Sequence, residues 1–340
     1  MTTINTVTGP VPASALGRVL VNEQVFSVNE DFRINYLPEW DDDAEVARAV
    51  HLLDELKESG IDTLVDVSVL GLGRNIERVK RVAEQTELKI IASTGLFTYN
   101  DLPYQFHYTG PGLGFNVPEP MADLFIRDLT VGIANTGVKA TMLVCVIEAE
   151  GLTDGVERVM RAVGMAGVAT GAPIMVHTNP HTQSGLIAQR VLAEEGVDLS
   201  NVLLSHSGDT ADVDYLMRAA DAGSVLGMDR FGLDVLLPHD DRVATVVELA
   251  ERGYADRMAL SQGASSFSDW FDPGKRAEVV PDWTYFEVSR RVVPELLSHG
   301  VSEHDVDLML RGVPQRFLSG RSADQGLVTP ISANTGLNPD

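Results

Sequence analysis

Residues 173–207 read PIMVHTNPHTQSGLIAQRVLAEEGVDLSNVLLSHS, and this stretch decides the fold. The apolar run PIMVHT comes before a segment of helical period over 185–196, and the apolar run NVLLSHS comes after it. Gly196 stands at the end of the helical segment, where a left-handed C-cap favours glycine. Strand, helix and strand in this order predict a βα unit of a parallel sheet.

The same unit repeats along almost the whole chain. The predicted strands are GRVLVNEQVF, DTLVDVSV, LKIIASTG, ATMLVCVIE, PIMVHT, NVLLSHS, SVLGMDRF and RMALSQGA. The predicted helices cover 43–60, 75–86, 120–133, 154–171, 185–196, 212–223, 242–253 and 283–300. Eight βα units predict an α/β fold, the (β/α)8 or TIM barrel.

The barrel is predicted to fill residues 1–320 as a single domain, with a closing helix over 303–318. Residues 321–340, rich in Ser, Asn, Gly and Pro, are predicted to form a disordered tail. Two long connections, 99–117 and 265–282, exceed what a plain βα turn requires. We predict that they are lids or pocket walls.

Composition and charge exclude several classes of protein. The 340 residues carry 26 Lys and Arg against 49 Asp and Glu, a net charge of −23 that repels nucleic acid and anionic membrane surfaces. No apolar run approaches the ~20 residues of a membrane span, and the opening MTTINTVTGPVPAS lacks the basic and apolar regions of a secretory signal. A single cysteine, Cys145, excludes an intrachain disulfide. We therefore expect a cytoplasmic protein that binds neither nucleic acid nor membrane.

Active sites of (β/α)8 barrels lie at the C-terminal ends of the strands. At those ends the sequence places polar residues, namely Asn22, Glu23, Gln24, Asp66, Ser68, Tyr99, His177, Thr178, His206, Ser207, Asp229, Arg230, Gln262 and Ser265. We expect the functional side chains among them.

Several separated motifs resemble those of one family, the phosphotriesterase-like lactonases of the amidohydrolase superfamily. The motifs are NEQVF, GLGR, GLFTYN, GVKATML, GAPIMVHT, LLSHSGDT, LGMDRFGLD and LSQGASS followed by DWF, and the resemblance spans residues 8–318. It implies a TIM barrel and a homodimer. It also implies two divalent metals, bound in ordinary members by an HxH pair, a carboxylated lysine, two further histidines and an aspartate. A metal-bridging hydroxide then attacks an ester, a lactone or a phosphorus centre.

Most of the positions that correspond to those metal ligands have changed. The HxH positions hold Asn22 and Gln24, the lysine position holds Val144, and the aspartate position holds Gly263. Strand alternation places Val144 on an apolar inner face, so Lys139, five residues earlier, does not replace the lysine. Neutral amides are poor ligands for zinc, and two divalent charges need anionic oxygens. We therefore predict that the chain has neither a binuclear metal centre nor another cofactor.

The histidines that follow strands five and six, His177 and His206, are retained. Imidazole is the side chain best suited to proton transfer near neutral pH, so both are predicted catalytic residues. Asp229 is predicted to orient one imidazole or to act as a base. The alternative is that the histidines are structural residues of the core.

The resemblance also predicts a substrate pocket. Tyr99, Arg230 and the amides of Asn22, Gln24 and Gln262 are predicted to bind a developing oxyanion or a substrate carboxylate. Trp270 matches a pocket-lining position, whereas Phe97 stands at the position of the family's tyrosine. For Arg230, a structural ion pair with Asp229 is the alternative.

The main hypothesis is a metal-independent enzyme that acts on a small carbonyl compound by general acid-base chemistry. Elimination, isomerisation or cyclisation is favoured over hydrolysis because no activated hydroxide is expected. One alternative is a catalytically silent barrel that binds a ligand or a partner protein. The other alternative is a weak lactonase or esterase that depends on a single metal ion, held by His177 and His206.

Overall fold

The computed structural model describes residues 2–320 of the chain. The tail predicted over 321–340 lies outside the described residues. A short antiparallel hairpin, β1 (Thr3–Thr6) with β2 (Gly9–Pro12), comes before the barrel. The strands that follow are β3 (Val19–Ser27), β4 (Thr63–Asp66), β5 (Lys89–Gly95), β6 (Met142–Ile147), β7 (Ile174–Thr178), β8 (Val202–Ser205), β9 (Val225–Met228), β10 (Met258–Leu260) and β11 (Ser265–Ser268).

Helices alternate with these strands and surround them. They are α1 (Glu30–Tyr36), α2 (Asp42–Glu58), α3 (Ile76–Ala83), α4 (Pro120–Thr130), α5 (Asp154–Thr170), α6 (Ser184–Glu194), α7 (Val213–Asp221), α8 (His239–Glu251), α9 (Pro273–Val279), α10 (Val293–Ser298), α11 (Glu303–Asp307) and α12 (Val313–Leu318). Within residues 2–320, no helix combines the length and the apolar character that crossing a bilayer requires.

Two helical segments near the C-terminal end of the described chain contain a π-helical turn just before a proline. The turn Val288–Val292 leads into α10, and Leu308–Gly312 leads from α11 into α12. Pro294 and Pro314 follow within the next turn. Proline lacks a backbone N–H and its ring crowds the carbonyl four residues earlier, so the wider turn accommodates it. The closing helix predicted over 303–318 is therefore continuous but locally unwound.

The parallel sheet closes into a barrel. Its order is β10, β9, β8, β7, β6, β5, β4, β3 and β11, so β11 pairs with β3. The seam is also joined by Gly263 N–H, which donates to Asn22 O (3.0 Å), and by Gln24 N–H, which donates to Ala264 O (2.9 Å). β10 and β11 therefore form two halves of one eighth strand. The predicted (β/α)8 barrel is confirmed, but the connection predicted over 265–282 begins as a strand and contains α9.

Strand side chains alternate between an inner core and an outer core. The inner core includes Met142, Val144, Met175, Leu203 and Val225, all buried. Cys145 packs in the outer core, between the strands and the helices. The inner side of β6 is therefore apolar, as alternation predicted.

β3 breaks its alternation just before the site. Val19 and Val21 belong to the inner core and Leu20 to the outer core, so strict alternation would turn Asn22 outward. However, the register between β3 and β4 shifts between Leu20 and Glu23, as at a β-bulge. The shift turns Asn22 into the barrel and Glu23 toward the seam.

Glu23 stabilises the barrel seam. Its two carboxyl oxygens accept hydrogen bonds from the backbone N–H groups of Gln262 (2.9 Å) and Ala264 (2.6 Å). These groups follow the end of β10, and buried N–H groups outside a regular ladder need other acceptors. Burial raises the pKa of Glu23 to about 8, although the same backbone N–H groups oppose the rise.

This carboxyl group makes stability depend on pH. The folded protein holds a proton on Glu23 up to pH 8, whereas the unfolded chain releases it near 4.5. The stabilisation is therefore complete below pH 4.5 and is lost as the pH rises through 8. Glu23→Gln does not titrate. We expect the difference in unfolding free energy, wild type minus Glu23→Gln, to fall by about 3–5 kcal/mol between these pH values.

Urea unfolding at several pH values measures this difference. Glu58→Gln is the matched control, because Glu58 lies exposed at the end of α2. A difference that stays constant with pH would contradict the assignment of the proton to Glu23.

Candidate functional site

Asp229 is the centre of a buried hydrogen-bond cluster at the C-terminal ends of the strands. Its Oδ2 accepts hydrogen bonds from Asn22 Nδ2 (2.8 Å) and Ser205 Oγ (2.7 Å). Its Oδ1 accepts from the backbone N–H of His206 (2.8 Å) and lies 3.0 Å from His206 Nδ1. Burial alone would raise the pKa of Asp229, but the neighbouring His206 and these hydrogen bonds hold that pKa below its usual range. Asp229 is therefore ionised.

His206 connects Asp229 to His177. His206 Nε2 lies 3.1 Å from His177 Nδ1, and the two rings are perpendicular, with centroids 4.7 Å apart. Because His206 Nδ1 donates to Asp229, His206 Nε2 is the acceptor and His177 Nδ1 the donor. His177 Nε2 then carries a lone pair. We call Asp229, His206 and His177 the relay.

His177 Nε2 ends the relay without a partner. The atom is buried, and no group within residues 2–320 forms a hydrogen bond with it. Burial, and then His206 and Arg230, lower the pKa of His177 well below 6.5, with Asp229 opposing them. Phe97 packs edge-on against the His177 ring, with centroids 5.2 Å apart. A neutral imidazole with a free lone pair is the form that a general base requires.

The backbone at the strand ends is shaped to assemble this cluster. His206 and Arg230 have φ values of 66° and 63°, in the left-handed region that is uncommon outside glycine. At His206 this turn brings both its N–H and its ring to Asp229, beside Ser205. Gly227 leaves the necessary room, because a Cβ there would lie 2.9 Å from the Cα of Ser205. Such strained positions concentrate at functional sites.

Arg230 pairs with a different carboxylate from the one considered in the sequence. Its Nη1 donates to Asp209 Oδ2 (2.8 Å), and Asp209 also binds the buried Arg242 (2.7 Å). The alternative prediction, a structural ion pair between Arg230 and Asp229, is therefore wrong. Four donors already occupy the oxygens of Asp229. The Arg230 side chain stays 25% exposed, so part of its guanidinium is accessible to a ligand.

Asn22 and Gln24 have different roles although both face the barrel interior. Both amide hydrogens of Asn22 are donated, to Ser205 (2.8 Å) and to Asp229 (2.8 Å). Asn22 therefore has no donor left for an oxyanion, which corrects its predicted role. The side chain of Gln24 is 8% exposed and forms no hydrogen bond with another described residue. Gln24 keeps its amide available.

The remaining predicted pocket residues have different surroundings. Tyr99 is half-exposed and its ring packs against Phe97, with centroids 5.3 Å apart. Trp270 is 50% exposed beyond β11 and contacts Phe271. Gln262 is fully buried, and its amide bonds the backbone of the segment after β11, at Tyr285 O and Val288 N. Gln262 therefore has a structural role. Among residues 2–320, no hydrogen bond or ring contact joins Trp270 to His177, His206 or Asp229.

Sequence reasoning missed Ser205, Asp209 and Arg242. A signal existed for Ser205, since Leu203 faces inward and Ser205 follows two residues later on the same strand. No local pattern connects Asp209 with Arg242, which lies on α8, because their contact depends on how that helix packs against the turn that follows β8.

The residues present do not fit the metal centre that the resemblance implies. Both amide hydrogens of Asn22 are turned to protein acceptors, and Val144 is an apolar side chain buried in the inner core. No cluster of three or more His, Cys, Asp or Glu within residues 2–320 is suited to hold a metal ion.

Known proteins similar to this chain cover nearly all of it. The model of the phosphotriesterase family matches residues 2–318. The phosphotriesterase homology protein of Mycobacterium tuberculosis is 47% identical over 96% of this chain and 100% of that protein. The aryldialkylphosphatase of Saccharolobus solfataricus is 34% identical over 91% of this chain and 97% of that protein. The solved structure of the phosphotriesterase from Mycobacterium tuberculosis matches at a TM-score of 0.92 and 47% identity, covering 93% of this chain and 98% of that one.

Proposed function

The chain belongs to the phosphotriesterase family, and from this premise we propose that it is a metal-independent enzyme acting on a small carbonyl compound by acid-base chemistry. One observation carries the proposal. The hydrogen-bonded relay runs from the ionised Asp229 through His206 to His177, and it ends on a nitrogen without a partner. A buried acceptor left unpaired needs an explanation, and a substrate proton supplies one.

The relay provides a path for one proton. His177 Nε2 takes a proton from a carbon next to the substrate carbonyl, and the electron pair of the broken C–H bond moves onto the carbonyl oxygen as an enolate. His177 then passes its Nδ1 proton to His206 Nε2 (3.1 Å). The positive charge comes to rest on His206, beside the Asp229 carboxylate (3.0 Å). Asp229 and His206 are therefore positioning residues, and His177 is the base.

The enolate oxygen needs a donor, and three side chains near the C-terminal ends of the strands are available. Arg230 is partly exposed and positively charged, Tyr99 is half-exposed, and the amide of Gln24 is free of other described partners. A fixed positive charge near a developing oxyanion stabilises the transition state more than the ground state. Elimination, isomerisation and cyclisation can each begin with such an enolate, so we favour these reactions over hydrolysis.

Hydrogen exchange tests the proposal without knowledge of the natural substrate. Protein prepared free of metal is incubated in deuterium oxide with a set of small ketones, hydroxyketones and lactones, and proton NMR follows the α-hydrogens. We expect at least one compound to exchange its α-hydrogens faster than in buffer, by about a hundredfold or more. A chelator should leave the rate unchanged.

Metal analysis of the same samples provides the contrast. If exchange or lactone hydrolysis appears only after zinc or manganese is added, and the metal stays bound at one ion per chain, the proposal is wrong. The weak mononuclear hydrolase then becomes the correct assignment. If no compound exchanges but some bind, the barrel is a silent binding protein.

A further inference from the structure

A pocket lies on the outer side of the barrel, away from the relay. It has a volume of about 470 Å³ and lies between the outer helix α2 and the segment that follows β11. None of the three relay residues lines it. Its aromatic lining includes Phe267, Phe271, Trp283 and Phe286. The volume is within the range of small-molecule sites, roughly 300–1,000 Å³.

The pocket carries a positive charge that the described chain does not neutralise. Two guanidinium groups line it, those of Arg48 and Arg276, against one carboxylate, that of Glu45. Glu45 pairs with Arg48 (2.9 Å). No Asp or Glu within residues 2–320 lies at ion-pair distance from Arg276, whose Nη2 instead donates to Trp283 O (3.1 Å). Although the chain has a net charge of −23, this half-buried arginine has no carboxylate partner among the described residues, so its charge is available to an anionic ligand.

Packing holds the Arg276 side chain in place. Its guanidinium lies over the Trp283 ring, 4.5 Å from the centroid. Such stacking fixes the plane of the guanidinium, leaving its remaining N–H groups to bind a planar anion in bidentate fashion. Burial, and then the nearby Arg48, lower the pKa of Arg276, so an incoming negative charge would relieve an unfavourable environment.

We propose that this pocket binds a small organic carboxylate whose apolar or aromatic body packs against the four aromatic side chains. The carboxylate pairs with Arg276, and the apolar body fills the space beside Phe267 and Phe271. Charge complementarity selects the anion, and the aromatic lining distinguishes an organic acid from a bare inorganic anion. The inference does not depend on the proposed activity of the relay.

Three probes and two variants test it in the full-length protein. The probes are phenylacetate, benzylammonium, which has a similar body and the opposite charge, and inorganic phosphate. Arg276→Gln removes the unpaired charge. Arg290→Gln is the matched control, because Arg290 also stacks on a ring of the pocket wall (Phe286, 4.0 Å) but is already paired with Glu55 (2.8 Å).

Calorimetric titration should show saturable binding of phenylacetate and none of benzylammonium. We expect the Kd for phenylacetate to rise about tenfold or more in Arg276→Gln and to stay within about twofold in Arg290→Gln. The inference is overturned if wild type shows no saturable binding up to about 10 mM, if Arg276→Gln binds as well as wild type, or if phosphate binds as tightly as phenylacetate. These titrations do not measure hydrogen exchange, so a negative result would overturn the proposed carboxylate site without contradicting the proposed activity of the relay.

Discussion

Replacing Asp229 with alanine is expected to lower the free energy of unfolding by about 4 kcal/mol or more. The carboxylate accepts hydrogen bonds from four buried donors, on Asn22, Ser205 and His206. Alanine leaves all four without an acceptor, and each unpaired buried donor costs about 1–3 kcal/mol.

Urea unfolding at neutral pH measures the effect. Asp234→Ala is the control, because Asp234 is an exposed aspartate on the loop that follows the same strand. Asp229→Asn separates stability from positioning, since asparagine keeps the shape but presents N–H hydrogens toward two other donors. Nitrogen NMR of His206 in that variant should show a changed tautomer. An Asp229→Ala protein as stable as wild type would mean that the cluster is solvated and does not hold the relay.

Replacing His177 with asparagine is expected to abolish most activity while the protein stays folded. The amide nitrogen of asparagine falls near the position of His177 Nδ1 and can still donate to His206. Nothing replaces Nε2, which has no protein partner to lose in the described chain. We expect the exchange rate to fall by about 10²–10⁴-fold and the unfolding free energy to fall by less than about 2 kcal/mol.

The pH dependence of this variant gives an independent readout. The pKa of His177 in the folded protein lies well below 6.5. As the pH falls below 6.5, His177 therefore becomes protonated in the unfolded chain while it stays neutral in the folded protein. Stability contributed by neutral His177 is therefore complete above pH 6.5 and is lost below it. His177→Asn should lose less stability than wild type on acidification from 6.5. Unchanged activity in the variant would show that His177 is structural.

The sequence was sufficient for the barrel, and for part of the site. Eight repeats of an apolar run and a helical segment define the (β/α)8 order, because each strand must be buried on both sides. Strand ends in such a barrel converge, so His177, His206 and Asp229 were expected to lie together. Their hydrogen bonds confirm that convergence.

The order of the relay was not predictable from the sequence. It depends on the left-handed backbone conformation of His206 and on the β-bulge that turns Asn22 into the barrel. No glycine stands at either position to indicate the unusual backbone in the sequence. The partner of Arg230 was missed for a similar reason. Arg230 follows β9 and Asp209 follows β8, and residues at the ends of two neighbouring strands have no fixed spacing in the sequence.

The apolar position on β6 limits how this barrel could be redesigned. Val144 is fully buried among side chains of the inner core, so a lysine placed there alone would bury an ammonium group without a counterion. A binuclear metal centre of the family's kind could therefore be built into this barrel only by changing several positions together, because the lysine alone would make the protein less stable.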